Sequence, residues 1–438
     1  MKDTDFTYNI VTYGCQMNEK DSSTMAAMLD QIGGRESSRD DAQLLIFNTC
    51  CVREHAEDKV FGNVGALKKQ LSERPNLIID VCGCMMQQKG VAEKFMKKFP
   101  FVNFVMGTHN MHQLPQIVLQ VVKYGEIVCA VWDSEGEIIE ELPLRTGKIS
   151  SYVNIMFGCD NYCTYCIVPY VRGHERSRSK DAIIREVQAL SESGTKEIIL
   201  LGQNVNSYQG GDDRFADLLY SLNEIPGIDR IRFMTSHPKD ISLALMNAMK
   251  DCDHVCKQLH LPVQSGSNEI LRRMNRRYTA EIYREKVMEL RQLIPDIALT
   301  TDIIVGFPGE TPDDFQQTLD LVNDIRFVTG YFFKYSPRPG TPAAKFENQI
   351  DEDIKQERLA TLLKLQDGIT NEYNRSLIGK TLHVMPEKTA DRHAGQIIGR
   401  SDGGRTVHFL GSSDLLGSTV PVTITDVTGN TLLGVIRN

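Results

Sequence analysis

The 438-residue sequence lacks three features, and each absence excludes a class of protein. No run approaches the roughly 20 apolar residues of a membrane-spanning helix, and the polar start Met1–Asp5 is unlike a signal peptide. There is no excess of positive charge, since the net charge is −8, so any nucleic-acid contact must come from local basic clusters. Eleven cysteines, an odd number spread through the chain, argue against a disulfide framework. We therefore expect a cytoplasmic protein whose thiols stay reduced for metal binding.

Three cysteines stand close together in the middle of the chain, at Cys159, Cys163 and Cys166. They follow an apolar alternation over residues 152–157, which predicts a strand that leads into a short loop. A [4Fe–4S] cluster normally takes four thiolates, so three leave one iron open to a small molecule. The alternative is a zinc knuckle with a distant fourth ligand such as His174. It is disfavoured because no second cysteine or histidine pair lies nearby in zinc spacing.

The first region, to residue 145, alternates predicted strands with segments of helical spacing, which indicates a doubly wound parallel sheet covered by helices on both faces. The predicted strands are residues 7–12, 44–49, 77–81 and 101–106. Cys15, Cys50 and Cys84 each follow one of the first three. Ends of neighbouring parallel strands converge, so a second three-thiolate site is one interpretation, and chance placement is the other. We interpret Cys51 and Cys82 as small buried hydrophobic residues.

The central region, residues 146–375, repeats the alternation six times and predicts a partial (βα)6 barrel, an incomplete version of the eight-unit barrel. The predicted strands are residues 148–157, 197–201, 231–235, 258–263, 298–305 and 328–335, with helices that include 181–192 and 312–325. Polar turns such as Gly202–Asn206 and Gln264–Ser267 follow several strands and predict a pocket for ribose and adenine. Asp302, inside an apolar strand, either faces this cavity or forms a structural salt bridge.

The last region, residues 376–438, follows a long predicted helix at 351–375. The predicted strands of this region are residues 381–385, 396–400, 406–410, 420–427 and 432–437. Five short strands indicate a small antiparallel β-barrel of the kind that binds oligonucleotides. Arg400, Arg405 and His408 are candidate contacts to an RNA backbone; alternatively, the barrel only packs against its neighbour. Basic clusters at 172–180 and 272–277 are either phosphate sites or solvated helix faces.

The spacing from Cys159 to Cys166 resembles that of the radical S-adenosylmethionine (SAM) enzymes. The resemblance implies that SAM binds the open iron and that one electron breaks its sulfonium to give a 5′-deoxyadenosyl radical. The SAM contacts that it suggests are Gln203, Ser236, Gln264 and Asp302, and Arg176 is a further candidate, for the SAM carboxylate.

Three more motifs resemble those of the methylthiotransferases, a family of radical SAM enzymes. They are Tyr13–Asn18, Asn48–Cys50 followed by Val52 and Arg53, and Gly83–Met85. The resemblance implies that Cys15, Cys50 and Cys84 hold an auxiliary [4Fe–4S] cluster, while Cys159, Cys163 and Cys166 hold the radical cluster. It also implies three domains, an N-terminal domain at 1–145, a radical SAM core at 146–375 and an RNA-binding TRAM domain at 376–438.

Within that family, residues 166–178 and 202–208 are most similar to enzymes that modify isopentenylated adenosine 37 of tRNA. The implied reaction inserts sulfur and a methyl group at C2 of N6-(dimethylallyl)adenosine and uses two SAM molecules. The implied partners are the tRNA anticodon stem-loop and a small electron-donor protein, with no membrane and a monomer favoured. Alternatives with the same chemistry are threonylcarbamoyladenosine in tRNA and an aspartate of a ribosomal protein. An alternative of another class is a non-catalytic iron–sulfur or zinc protein that binds RNA.

Overall fold

The computed structural model describes residues 5–51, 54–136, 138–141, 143–390 and 395–437. Of residues 54–56 it describes the backbone but not the side chains. The first four residues of the polar start, and Val52 and Arg53 of the second cysteine motif, lie outside the described residues. The chain forms two compact units. The first comprises residues 1–145, 156–162 and 166–182, and the second comprises residues 146–155, 163–165 and 183–438. No described helix is both long and apolar enough to cross a membrane.

The elements follow one another in a strand–helix alternation. Up to residue 145 they are β1 (Phe6–Thr12), α1 (Gln16–Gln31), β2 (Gly34–Glu36), β3 (Leu44–Thr49), α2 (Glu54–Gln70), β4 (Ile78–Gly83), α3 (Val91–Lys98), β5 (Phe104–Met106), α4 (Leu114–Tyr124) and β6 (Val128–Ala130). Those of the next part are β7 (Ser150–Asn154), β8 (Met156–Phe157), α5 (Val168–Arg172), β9 (Arg176–Ser177), α6 (Lys180–Glu192), β10 (Glu197–Leu201), β11 (Gln209–Gly210), β12 (Asp213–Arg214), α7 (Phe215–Asn223), β13 (Arg230–Phe233) and α8 (Leu243–Asp251). The remainder are β14 (Gln258–His260), α9 (Asn268–Arg273), α10 (Ala280–Leu293), β15 (Ala298–Val305), α11 (Pro312–Ile325), β16 (Thr329–Lys334), α12 (Glu352–Ser376), β17 (Thr381–Thr389), β18 (Gln396–Ser401), β19 (Thr406–Leu410), β20 (Val420–Thr428) and β21 (Thr431–Ile436).

The first unit is built on a six-stranded parallel sheet in the order β2-β1-β3-β4-β5-β6. All six residues of the central strand β3 are buried, as expected for a strand covered on both faces. Leu45 and Phe47 join a core with α2 and α3, whereas Leu44 and Ile46 join a second core with α1 and α4. The predicted doubly wound sheet is confirmed. The edge strands β2 and β6 were not predicted, because three residues are too few to show a period.

Six parallel strands of the second unit form the predicted incomplete barrel. They pair as β13-β10-β7 and β14-β15-β16, and a parallel bridge from Ile231 to Val255 lies between the two sheets. The prediction of one strand over residues 148–157 is wrong, because β7 ends at Asn154 and β8 pairs antiparallel with β9 instead. Apolar alternation continues through both segments and cannot show where the hydrogen-bonding partner changes.

The last region forms a closed five-stranded barrel in the order β17-β18-β19-β21-β20. Four of its pairings are antiparallel, but β19 and β21 run parallel. The predicted small antiparallel β-barrel is therefore confirmed, and the structure adds one parallel pairing to it. A closed ring with an odd number of strands cannot alternate direction throughout, so one pair must be parallel.

Candidate functional site

Three cysteines of the first unit lie just beyond the carboxyl ends of neighbouring strands of its sheet. Cys15, Cys50 and Cys84 follow β1, β3 and β4, which are neighbours in the sheet. The amide of Cys84 donates to the carbonyl of Thr49 (3.0 Å), so the turn after β4 is fastened to the end of β3. The parallel topology thus brings the ends of these three strands together, as strand-end reasoning predicts.

Glycines precede two of these cysteines where the turns pack tightly. Gly83 has φ of +95°, and a Cβ there would lie 2.5 Å from the carbonyl oxygen of Thr49. At Gly14, with φ of +129°, a Cβ would lie 2.5 Å from the Cβ of Cys50. Only glycine permits both the backbone conformation and the close approach, so these residues set neighbouring turns side by side.

A buried asparagine links the turns after β1 and β3. Asn18 is fully buried, and its Oδ1 lies 3.3 Å from the Sγ of Cys15, which can donate to it. Its Nδ2 donates to the Oδ1 of Asn48 (3.1 Å) and to the carbonyl of Thr49 (3.1 Å). Asn18 and Asn48 belong to the cysteine motifs seen in the sequence, and the structure shows that they hold the two turns together.

Arg172 is buried beside the third of these cysteines. Its Nε donates to the Sγ of Cys84 (3.2 Å) and its Nη2 donates to the Oδ2 of Asp21 (2.8 Å). A hydrogen bond from Cys51 and the charge of Arg172 lower the pKa of Cys84 to about 6. Neither interpretation of the 172–180 cluster holds for Arg172, because its guanidinium faces a thiol and a carboxylate in the interior rather than a phosphate or water.

Cys51 and Cys82 are both buried, as predicted. Cys51 packs in a small cluster with Cys84, Ile167 and Val171, and the hydrogen bond to Cys84 together with burial raises the pKa of Cys51. Cys82 belongs to the core on the other face of the sheet, with its Sγ 3.9 Å from the Sδ of Met25.

The loop with the other three cysteines contributes to both units, and each part is held by its own contacts. In the first unit the amide of Cys159 donates to the carbonyl of Gly173 (3.1 Å), and Nδ2 of Asn161 donates to the Sγ of Cys159 (3.3 Å). Nδ1 of His174 lies 2.7 Å from Oδ1 of Asp160, and this hydrogen bond raises the pKa of His174. His174 therefore has a carboxylate partner.

In the second unit, Cys163 lies beside another buried arginine. Nη1 of Arg276 donates to the Sγ of Cys163 (3.5 Å), and Nη2 donates to the carbonyl of Pro262 (2.8 Å). Arg272 of the same basic cluster is exposed and pairs with Glu269 at 2.7 Å. The solvated-face interpretation therefore fits Arg272 but is wrong for Arg276. Each cysteine set thus has one buried arginine bonded to a sulfur, which sequence reasoning missed because a guanidinium is normally solvent-exposed.

Ser236 and Gln264, both predicted SAM contacts, present buried polar atoms without partners among the described residues. Oγ of Ser236 and Oε1 of Gln264 are buried and accept no hydrogen bond from the described residues. Gln264 has φ of +71°, and its backbone bridges to β15 through the amide of Ile304, which donates to its carbonyl (3.0 Å). Unsatisfied buried groups are rare, so these two atoms suit a polar ligand.

Asp302 and Arg176 already have protein partners. A carboxylate oxygen of Asp302 lies 3.4 Å from Nε2 of His260, a residue that sequence reasoning did not single out. Arg176 lies in the first unit, where its guanidinium donates to the carbonyl of Gly136, and burial lowers the pKa of Arg176. Gln203 lies in the turn after β10 and is partly buried.

The candidate RNA contacts of the barrel differ in accessibility. Arg405 is buried and donates to Oγ1 of Thr329 (2.9 Å) and to the carbonyl of Asn430 (3.1 Å). Its prediction as a contact to RNA is therefore wrong, since these bonds fix the barrel within its own unit. Arg400 is exposed and pairs with Glu387 at 3.1 Å, and His408 on β19 is partly buried.

The donors of both cysteine sets are thiols, the ligands that iron–sulfur clusters use. Among the described residues no three Cys, His, Asp or Glu side chains converge on a single metal position. A [4Fe–4S] cluster distributes its thiolates over different irons and does not need such convergence. The buried Arg172 bonded to Cys84 favours the thiolate form that a cluster requires.

Comparison with known families agrees with this arrangement. The radical SAM superfamily matches residues 153–322, the family described as Uncharacterized protein family UPF0004 matches residues 7–107, and the TRAM domain matches residues 375–436. Among solved structures, the chain is similar to the radical SAM methyltransferase TsrM of Kitasatospora setae. The TM-score is 0.59 at 13% identity, and the match covers 78% of this chain and 75% of that one. At that identity the likeness shows the fold alone.

Curated relatives extend over nearly the whole chain. A tRNA-2-methylthio-N6-dimethylallyladenosine synthase of Clostridium beijerinckii is 49% identical over 98% of this chain and 95% of its own length. The synthase of Alkaliphilus oremlandii is 50% identical over 96% of this chain and 90% of its own length. The chain therefore belongs to the tRNA-2-methylthio-N6-dimethylallyladenosine synthase family of radical SAM proteins.

Proposed function

We propose that this chain inserts sulfur and a methyl group at C2 of N6-(dimethylallyl)adenosine 37 in tRNA, giving 2-methylthio-N6-(dimethylallyl)adenosine. The observation that carries the proposal is the presence of two separate cysteine sets, each with a buried arginine bonded to one sulfur, at Cys84 and Cys163. This family membership and a TRAM match at residues 375–436 support tRNA as the substrate.

We assign the cluster ligands by set. Cys15, Cys50 and Cys84 would hold an auxiliary [4Fe–4S] cluster, and Cys159, Cys163 and Cys166 would hold a [4Fe–4S] cluster with one iron open to SAM. When bound, these groups supply a hydrogen-abstracting radical and the sulfur for transfer. Nδ2 of Asn161 donates to the sulfur of Cys159, and Oδ1 of Asn18 accepts from the thiol of Cys15, so an asparagine contacts one cysteine of each set.

Two of the residues predicted from the sequence are assigned to SAM binding in this proposal. Ser236 and Gln264 would bind polar groups of SAM, because their side-chain oxygens are buried without protein partners in the described chain. We assign residues 1–145 to the auxiliary-cluster domain, 146–375 to the radical SAM core and 376–438 to the TRAM domain. Since C2 lies inside the base stack, the adenosine must leave the stack to react.

A small electron-donor protein would complete the system, because reductive cleavage of SAM consumes one electron. The tRNA substrate and the eleven cysteines, none of which forms a disulfide, support a cytoplasmic location.

The decisive experiment offers three anticodon stem-loops to anaerobically reconstituted, reduced protein with SAM and sulfide. The stem-loops carry isopentenyladenosine, threonylcarbamoyladenosine or plain adenosine at position 37, and nucleoside mass spectrometry identifies the product. We expect methylthio product on the isopentenyl substrate alone. Product on the threonylcarbamoyl substrate would keep the chemistry and overturn the substrate.

Controls separate the remaining alternatives. Cys159→Ala should abolish both product and 5′-deoxyadenosine, whereas Cys82→Ala, at a buried core cysteine, should retain both. Intact clusters without product on any stem-loop would favour the ribosomal-protein substrate. Intact clusters that release no 5′-deoxyadenosine would favour a non-catalytic RNA-binding protein.

A further inference from the structure

In the first unit, a buried arginine lies between a carboxylate and a cysteine of the proposed auxiliary site. Asp21, Arg172 and Cys84 lie in contact, with the guanidinium between the carboxylate and the thiol. Arg172 is 7% exposed and Asp21 is 8% exposed. An arginine is costly to bury without partners, so its position is set by these two groups.

Geometry directs one donor of Arg172 at a sulfur. A guanidinium is planar and rigid, so anchoring Nη2 on the Asp21 carboxylate (2.8 Å) fixes the direction of the Nε–H. That donor meets the Sγ of Cys84 at 3.2 Å. A more flexible cation with a single charged end, such as lysine, could not satisfy both groups with the same orientation.

The backbone that carries Arg172 is also held firmly. Arg172 ends helix α5, and the preceding carbonyl, of Val171, accepts from Oγ1 of Thr108 (2.6 Å). Val171 and Ile167 pack against Cys84 in one cluster. Helix α5 begins two residues after Cys166, so the segment that leaves the radical-cluster loop reaches the proposed auxiliary ligand.

We propose that Arg172 is a positioning residue for the auxiliary cluster. It fixes the Cys84 thiolate through the Nε–H···S bond and raises the reduction potential of the cluster that Cys84 binds. The inference rests on the proposed ligand role of Cys84. Hydrogen bonds to ligand sulfurs and nearby positive charge favour the more negative reduced state, and groups that orient metal ligands also slow loss of the metal.

The test uses full-length protein in which Cys159, Cys163 and Cys166 are replaced by alanine, so that only the auxiliary cluster is observed. Its midpoint potential and the electron paramagnetic resonance spectrum of its reduced state are measured with Arg172→Gln and Arg172→Lys. Release of iron to a chelator is followed in parallel. The matched control is Arg178→Gln, because Arg178 is also a buried arginine of the first unit and donates to the carboxylate and carbonyl of Glu140 (both 3.0 Å).

We expect Arg172→Gln to shift the potential to a more negative value, to change the spectrum and to speed iron release on the order of tenfold. Arg172→Lys should give a smaller shift in the same direction, and Arg178→Gln should match the parent. If Arg172→Gln does not load iron, the potential and the spectrum of Arg172→Lys test the inference instead. A loaded Arg172 variant with the parent's potential and spectrum would overturn the inference. A parent that binds no iron would instead overturn the ligand assignment.

Discussion

Replacing Arg232 with methionine should strongly destabilise the second unit. Four donated hydrogen bonds are lost, to Oε1 of Glu197 (2.7 Å), to Oε1 of Gln258 (2.7 Å) and to the carbonyls of Ser401 (2.7 Å) and Asp402 (2.8 Å). The side chain of Arg232 is 9% exposed and that of Glu197 is 4% exposed, so the variant leaves a carboxylate buried without its cation.

The magnitude follows from that burial. Removing one partner of a buried ion pair costs about 3–5 kcal/mol, whereas an exposed pair contributes about 0–1 kcal/mol. Arg284 and Asp324 form such an exposed pair, with side chains 32% and 54% accessible. Arg284→Met is therefore the matched control and should change the free energy of unfolding little.

The loss should also reach function. Ser401 ends β18 and Asp402 follows it in the turn to β19, so Arg232 fastens the small barrel to β13. We expect Arg232→Met to weaken binding of the anticodon stem-loop, while 5′-deoxyadenosine formation in the absence of RNA is retained.

Urea unfolding followed by far-ultraviolet circular dichroism, with calorimetry to identify separate transitions, measures the cost. Combining Arg232→Met with Glu197→Gln should recover part of the loss, because the buried carboxylate is removed as well. The reasoning is refuted if Arg232→Met costs no more than Arg284→Met. Additivity of the two single changes would likewise show that the pair does not interact.

Three further predictions concern the first unit and the ligand pocket. Cys84→Ala should remove the auxiliary cluster and about half of the reconstituted iron on the proposed assignment of two [4Fe–4S] clusters. Cys82→Ala, two residues earlier and within β4, should leave the iron content unchanged, and equal iron loss in both variants would contradict the assignment. Burial raises the pKa of Asp80 in the folded protein well above its ordinary value, so the folded protein keeps this carboxyl protonated. The contribution of Asp80 to stability is therefore fully present below the pKa of the unfolded chain. It is lost as pH rises toward the pKa of the folded protein. Asp80→Asn should therefore be increasingly more stable than the parent as pH rises above about 4, measured by urea unfolding with the fluorescence of Trp132, the single tryptophan; a stability difference independent of pH would count against a buried acid. Gln264→Ala should raise the SAM concentration needed for half-maximal 5′-deoxyadenosine formation on the order of tenfold, the loss of one buried hydrogen bond, and an unchanged value would exclude Gln264 as a SAM contact.

Local patterns predicted the framework because burial repeats with the period of each element. The strands 44–49, 197–201 and 298–305 were predicted with the bounds that the structure shows, since apolar residues dominate each of them. The tight spacing from Cys159 to Cys166 also needed no tertiary information, because three thiols on one loop are close in any fold.

Long-range contacts could not be predicted in this way. Arg172, Arg276 and Arg405 are charged residues in basic or polar segments, and their sequence surroundings favour a solvent-exposed position. Each is buried because partners far away in the chain, among them Asp21 for Arg172 and Thr329 for Arg405, supply the hydrogen bonds. The spacing of apolar residues along the chain carries no information about such distant hydrogen-bond partners.

By itself, the sequence determined which chemistry the chain is equipped for: six cysteines in two sets, alternating strands and helices, and a terminal β-barrel. Tertiary structure alone decided that β1, β3 and β4 are neighbours, so that cysteines up to 69 positions apart in the chain follow adjacent strands. It also decided which arginines are buried and donate hydrogen bonds to cysteine sulfurs. The physical reason is that desolvating a charge is favourable only where folding has already gathered its counter-charges.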